Sequence, residues 1–321
     1  MAGPVFIVGC GRSGTTLLRV LLNRHSNIAI PGETWFFPEL DARRDHVRSL
    51  AASESGWRQV VAEHVCGFAT FAELGVDRAA VRSLLQETDI TEWPDVVAVA
   101  NRAYARSFGK PRWGDKTPGY VRHLPLIRDL YPEAVVLNMV RDGRDVAVSF
   151  LEMPFGPTTV MDAAAWWTAD VCVGRRLGPE LFGDRYMEVR YEELVSRPEA
   201  LLEEICDLLG EPFEAAMMDQ DGASGPHRLE EHWWHELTEK PITEQRIGRW
   251  REELTSVDAH VFELESGGLL KDLGYDTSGP SPVHHHVVWV GRRVGRRVAR
   301  FARRARERVK GRVASRDRSS G

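Results

Sequence analysis

The sequence predicts an α/β fold: a mostly parallel sheet flanked by helices, with helical insertions and a basic C-terminal helix. Three observations predict it. Strand-turn-helix units recur along the chain, each apolar run ending in a polar or glycine-rich turn. The 321 residues are 43% apolar and 28% charged, enough to bury one large core. No apolar run approaches the ~20 residues of a membrane span.

The first unit is the apolar run 4–9, a Gly-rich turn at 9–14, and a helix from about Thr15 to His25 with Leu17, Leu18, Leu21 and Leu22 turned inward. The second is Ala134–Val140, the turn Arg141-Asp142-Gly143-Arg144-Asp145, and a helix through Val146, Val148 and Phe150. The third is Arg185–Val189 followed by Tyr191 and a helix from Pro198 to Leu209. Pro198 opens that helix and Gly210 stands just past its end. Residues 41–108 and 157–177 read as helical insertions, suited to a lid or an acceptor-binding wall. Residues 1–277 form the main domain, 278–289 a linker rich in Ser, Pro and His, and 290–321 a tail.

Charge is uneven. The formal net is −5, yet residues 281–321 hold 13 of the 42 Lys+Arg and only 2 of the 47 Asp+Glu. Apolar residues at 290, 294, 298, 301, 305, 309 and 313 recur at a helical period among arginines, a pattern suited to peripheral contact with an anionic membrane surface. Without interleaved aromatic residues, the tail gives no basis for specific nucleic-acid readout. The four cysteines (Cys10, Cys66, Cys172, Cys206) have no paired spacing, which predicts neither a disulfide framework nor a thiolate metal site. With no signal peptide visible, the expectation is a soluble cytoplasmic protein. The tail suits association with a membrane surface, or with nucleic acid, a partner helix or the chain's own acidic body, with a partly disordered solvated tail as the plain alternative.

The chemistry starts at Gly9-Cys10-Gly11-Arg12-Ser13-Gly14-Thr15-Thr16, between a predicted strand and a predicted helix. Such a turn lets backbone N–H groups converge on an anion at the positive end of the helix dipole, so the sheet is of the P-loop type. On the Gly-x4-Gly-Lys-[Ser/Thr] template, Gly9, Gly14 and Thr16 match, but Thr15 stands at the lysine position. Arg12 supplies a cation inside the loop, and Ser13, Thr15 and Thr16 supply hydroxyls. The plain alternative is a tight βα turn. A second anion site is suggested by Arg141 at the end of a buried strand, with Ser149 eight residues on; alone, Arg141 could equally be a surface arginine in a turn, with Asp142 or Asp145 as helix N-cap.

Together these segments resemble the 5′-phosphosulfate loop and the 3′-phosphate motif of the sulfotransferase superfamily that uses 3′-phosphoadenosine 5′-phosphosulfate (PAPS). The resemblance spans about residues 4 to 275. It implies that Arg12, Ser13, Gly14, Thr15 and Thr16 bind the 5′ end, and that Arg141 and Ser149 bind the 3′-phosphate. Tyr191 in Arg-Tyr-Glu-Glu-Leu resembles the family's tyrosine beside adenine. Arg246-Ile247-Gly248-Arg249-Trp250-Arg251 is similar to its cofactor-covering loop, from which Gly248 and Arg249 are carried over.

The usual base of small-phenol members is a His two residues after a Lys. Here Trp113-Gly114-Asp115-Lys116-Thr117-Pro118 puts Pro118 in that place. Glu33, in Pro31-Gly32-Glu33-Thr34, is placed like the catalytic glutamate of tyrosylprotein and some carbohydrate sulfotransferases. The expected roles are Glu33 as general base, Lys116 and Arg12 as the cations that meet charge on the leaving group, and Asp115 as the residue that orients Lys116. The plain alternatives are a turn carboxylate for Glu33 and a solvated cation for Lys116. His123 reads as a surface histidine, and His227, His232, His235 and His284–His286 do not form a metal set. The expected activity is transfer of a sulfuryl group from PAPS, without a metal, to an acceptor bearing a hydroxyl or amine. The competing readings are a P-loop nucleotide kinase or NTPase, and a catalytically silent nucleotide-binding protein held at a membrane.

Overall fold

A computed structural model describes residues 3–49, 56–87, 92–219, 242–277 and 289–291. All of the linker 278–289 but its last residue, nearly all of the tail 290–321 and the histidines at 227, 232, 235 and 284–286 lie outside the described residues. The chain divides into two compact units, Met1–Arg141 with Ala169–Ile247, and Asp142–Thr168 with Gly248–Gly321.

The first unit holds a five-stranded sheet. Its strands are β1 (Val5–Gly9), β2 (Ile28–Ala29), β3 (Arg112–Lys116), β4 (Val135–Val140) and β5 (Tyr186–Arg190), in the order β2-β3-β1-β4-β5. Every pairing is parallel. The register sets Ile7 opposite both Lys116 and Leu137, and Val140 opposite Arg190. The C-terminal ends of β1, β3, β4 and β5 therefore share one edge. From β1 the chain passes to β2 and β3 on one side and only later to β4 on the other. The crevice at that reversal is where open α/β sheets take ligands.

Alternation along the strands sends side chains to two cores. Phe6, Val8 and Val136 join one core, and Val5, Ile7, Val135, Leu137 and Met139 the other. The first core is covered by the described helices of the segment 41–108, which pack their apolar faces on the sheet. Val47, Val61, Val65, Val81 and Val97 from its helices pack into the same cluster as Phe6. The second core takes the inner face of the helix Thr15–Asn23 and of the helix Pro198–Leu209, whose C-cap Gly210 adopts φ 68°. On the first of these helices Leu18, Leu21 and Leu22 are fully covered, while Leu17 is only partly covered. That helix stops near Asn23, short of His25, where Lys110 Nζ donates to the carbonyls of Asn23, His25 and Ile28 at 2.5, 2.8 and 3.1 Å.

β3 is a strand that its composition hides. Arg-Trp-Gly-Asp-Lys has no apolar run, yet Arg112, Asp115 and Lys116 are all buried. Each charged group has an internal partner. Arg112 donates to the carbonyls of Gly3 and Leu209 and pairs with Glu211. Asp115 Oδ2 accepts from the Thr34 hydroxyl at 2.8 Å and from Asn101 Nδ2 at 3.0 Å. Adjacent strand residues face opposite ways: Asp115 secures Thr34 by a hydrogen bond and acts on Lys116, which it is expected to orient, through its charge. In the second unit the helix Gly143–Leu151 is capped by Asp142, whose carboxylate accepts from Arg144 N–H at 2.9 Å. Most of the expected segment 157–177, from Val160 on, lies in one long helix, Val160–Phe182.

Burial pushes the Asp115 carboxyl up to about 6, against the opposing effect of hydrogen bonds from Thr34, Asn101 and Thr117 and of the Lys116 charge. The folded protein thus keeps a proton that the unfolded chain releases near 3.8. Stability contributed by this group is present at low pH and lost as pH rises from about 4 to about 6. The change is on the order of 3 kcal/mol at about 1.4 kcal/mol per pH unit. Asp115→Asn keeps an acceptor for Thr34 and Asn101, so in urea unfolding it should gain stability relative to the parent across that window. A difference that stays constant from pH 4 to 7 contradicts the assignment.

Candidate active site

The loop after β1 is built to leave N–H groups open. Gly9 has φ 137°, and a Cβ there would lie 2.4 Å from the Met139 carbonyl oxygen, so only glycine lets β1 run this close to β4. Arg12 is left-handed at φ 68°. Gly14, the N-cap of the helix Thr15–Asn23, has φ 93°, and a Cβ on it would meet the Tyr191 ring at 2.5 Å. No side chain caps that helix and no acidic residue occupies its first turn. Its first N–H groups and its dipole thus face the loop without an internal anion. Ser13 Oγ is fully buried and has no hydrogen-bond partner among the described residues. A buried donor in a loop of converging N–H groups fits a phosphate- or sulfate-like ligand.

A lysine does reach this loop, from a neighbouring strand. Lys116 ends β3, is 2% exposed, and places Nζ 3.5 Å from Thr16 Oγ1. The same Nζ donates to Glu33 Oε1 at 2.9 Å. Glu33 follows β2 and is half-buried; its second oxygen, Oε2, accepts from Trp35 Nε1 at 2.8 Å. Glu33 therefore belongs to an ion pair beside the loop whose ammonium is buried and whose carboxylate is partly exposed, and Lys116 is not the solvated cation of the plain alternative.

Arg141, just past β4, lies against the same loop. It is 4% exposed, donates from Nη1 to the Arg12 carbonyl at 3.3 Å and from Nη2 to the Arg246 carbonyl at 2.6 Å, and stacks over the Tyr191 ring at 4.2 Å. Tyr191 in turn packs on Gly14. The first unit thus brings together Arg12, Ser13, Gly14, Thr15, Thr16, Glu33, Lys116, Arg141 and Tyr191 at the C-terminal edge of the sheet. His123 is exposed, in contact with Tyr120, at the end of the 3-10 turn Pro118–His123.

Ser149, Gly248 and Arg249 belong to the second unit. Ser149 is buried on the helix Gly143–Leu151. The segment after Ile247 is fastened by Asp145, which is no N-cap: its carboxylate accepts from Gly248 N–H at 2.7 Å and Trp250 N–H at 2.9 Å. Arg144, fully buried between Asp142 and Glu263, stacks over the Trp250 ring at 3.7 Å. Arg249 is paired with Glu152 at 2.6 Å and Glu253 at 2.7 Å. Sequence reasoning missed three groups: Trp35, the Thr34–Asp115 tie, and the Asp145 fastening. The indole N–H two residues after Glu33 was the one available signal. Among the described residues, no group of three or more His, Cys, Asp or Glu is placed to hold a metal ion, and no helix is long and apolar enough to cross a membrane.

Known proteins share both the sequence pattern and the fold. The chain is 29% identical over 300 residues to nodulation protein NoeE of Sinorhizobium fredii, covering 85% of this chain and 66% of that protein. It is 25% identical over 295 residues to protein-tyrosine sulfotransferase A of Caenorhabditis elegans, covering 87% and 68%. Among solved structures, the sulfotransferase domain of the Synechococcus PCC 7002 olefin synthase shares the fold at a TM-score of 0.61 and 24% identity, over 87% of this chain and 98% of that domain. The model of the sulfotransferase family matches residues 4–215, a span that takes in the loop after β1, Glu33, Lys116, Arg141 and Tyr191. On that match, this chain belongs to the sulfotransferase family.

Proposed function

We propose that this protein moves a sulfuryl group from PAPS to a hydroxyl or amine by in-line displacement, with Glu33 as general base. The observation that carries this reading is the position of Lys116, whose ammonium lies between the Glu33 carboxylate and the hydroxyl of Thr16 in the loop. One cation thus spans the group that would take a proton and the group that would hold the donor.

In the proposed reaction the loop N–H groups, Ser13, Thr15 and Thr16 bind the 5′-phosphosulfate. Arg141 faces the 3′-phosphate, with Ser149 as a second donor, and Tyr191 supports the nucleoside. Gly248 and Arg249 are assigned to the covering segment. Glu33 accepts the acceptor's proton as the new O–S or N–S bond forms. The S–O bond to the phosphate breaks in the same step. Lys116, assisted by Arg12, meets the charge on the departing phosphate oxygen as adenosine 3′,5′-bisphosphate leaves. These cations stand where a kinase would use Mg²⁺, so the proposed reaction calls for no metal. Similarity to protein-tyrosine sulfotransferases supports a hydroxyl acceptor. A kinase or NTPase reading is disfavoured by Thr15 at the lysine position of the loop.

Two measurements test the proposal. Adenosine 3′,5′-bisphosphate at 100 times its dissociation constant should stabilise the protein by about 2.7 kcal/mol in a thermal shift. Stabilisation by ATP with Mg²⁺ and none by the bisphosphate overturns the donor assignment. Glu33→Gln should lower donor turnover by roughly 10²–10⁴-fold while the bisphosphate shift persists. Full activity in that variant removes Glu33 from the mechanism.

A further inference from the structure

Trp35 combines strain, exposure and a direct bond to Glu33. Its φ is 58°, a left-handed conformation that bulky side chains rarely adopt. The chain on both sides is locked. Thr34 is fully buried; its N–H donates to Thr117 Oγ1 at 3.1 Å, and its hydroxyl donates to Asp115 Oδ2 at 2.8 Å, 2.9 Å from the Tyr120 hydroxyl. Phe36 and Phe37 are sunk in the core. With 34, 36 and 37 all directed inward, residue 35 is turned out and remains 44% exposed. Its ring lies over Gly119, where a Cβ would come within 2.6 Å of the indole, and edge-on to Tyr120 at 6.3 Å. From there Nε1 donates to Glu33 Oε2. An outlier that surrounding structure holds in place, beside the proposed base, points to function more than to packing.

The need for this contact follows from the sharing of Glu33. Lys116 occupies Oε1, yet the same ammonium lies at hydrogen-bond range of Thr16 in the loop. If Lys116 turns toward an anion in the loop, the carboxylate loses the cation that fixes it. A glutamate held by nothing else would then sample several rotamers and seldom face the acceptor. The indole N–H holds the other oxygen. It leaves Oε1 open as the proton acceptor.

We propose that Trp35 is a positioning residue: its Nε1–H keeps the Glu33 carboxylate aimed when Lys116 moves to the bound donor, and its exposed ring forms one wall of the acceptor site. The inference rests on the reading of Glu33 as base. Asp115, next to Lys116 on β3, also acts on that lysine through its charge.

The test compares Trp35→Phe, which keeps a ring but loses the donor, with Trp35→His, which keeps a ring N–H. Donor turnover is followed as adenosine 3′,5′-bisphosphate release from PAPS, with 4-nitrophenol or water as acceptor. Trp35→Phe should lower kcat at least about tenfold with donor KM unchanged, and Trp35→His should recover part of the loss. Equal kcat in the parent and Trp35→Phe, or equal losses in both variants with weakened bisphosphate binding, overturns the proposal. A second readout does not depend on turnover. The indole ¹H–¹⁵N resonance assigned to Trp35 by its absence in Trp35→Phe should shift in Glu33→Ala. Should the protein fail to bind the bisphosphate, the sulfotransfer reading fails, and this resonance still judges the contact. If it does not move in Glu33→Ala, the contact is absent and the inference falls with it.

Discussion

The site depends on one constraint: an ammonium held almost out of solvent at the end of a parallel strand. Removing a charge from water is unfavourable unless partners replace the lost hydration. Lys116 is 2% exposed, and its partners are the Glu33 carboxylate and the Thr16 hydroxyl. The parallel register that sets Lys116 opposite Ile7 carries its side chain to the turn that follows β1. Glu33 arrives after β2, the strand on the far side of β3. Three segments far apart in sequence thus meet around one charge because the sheet aligns their C-terminal ends.

Around this charge the backbone takes conformations that folding alone would avoid. Among the described non-glycine residues with positive φ are Arg12 in the loop and Trp35 beside Glu33. Gly9 and Gly14 take left-handed or near-left-handed geometry that also relieves clashes with Met139 and Tyr191. Within the second unit, taken by itself, Asp145 fastens the N–H groups of Gly248 and Trp250, and Arg144 stacks on the Trp250 ring. Strain of this sort persists where neighbouring contacts over-determine it, and it gathers at sites that bind and react.

Much of this was legible in the sequence. The apolar runs gave β1, β4 and β5 within a residue or so, and Pro198 and Gly210 bounded their helix correctly. The loop 9–16, Glu33, Lys116, Arg141 and Tyr191 were each visible as residue types in a fitting context. What was hidden has physical causes. β3 is a polar strand whose charges are neutralised only by tertiary partners, so no apolar run marks it in the sequence. The packing of the segment 41–108 on the sheet was not legible either, because amphipathic helices carry no label for what their apolar face covers. The tie of Asp115 to Thr34 was hidden as well, because strand alternation, not sequence proximity, selects that partner. The left-handed backbone of Trp35 could not be read, because it accompanies the burial of Thr34, Phe36 and Phe37 on either side.

The central claim is that the loop after β1 and Arg141 grip opposite ends of one nucleotide. The most direct measurement is the affinity of the parent and of Arg141→Ala for adenosine 3′,5′-bisphosphate and for adenosine 5′-monophosphate, which lacks the 3′-phosphate. Charge-assisted bonds to Arg141 predict that the variant loses roughly 10- to 100-fold for the bisphosphate and stays within a few-fold for the monophosphate. Equal losses for both nucleotides, or no loss for either, would contradict the account.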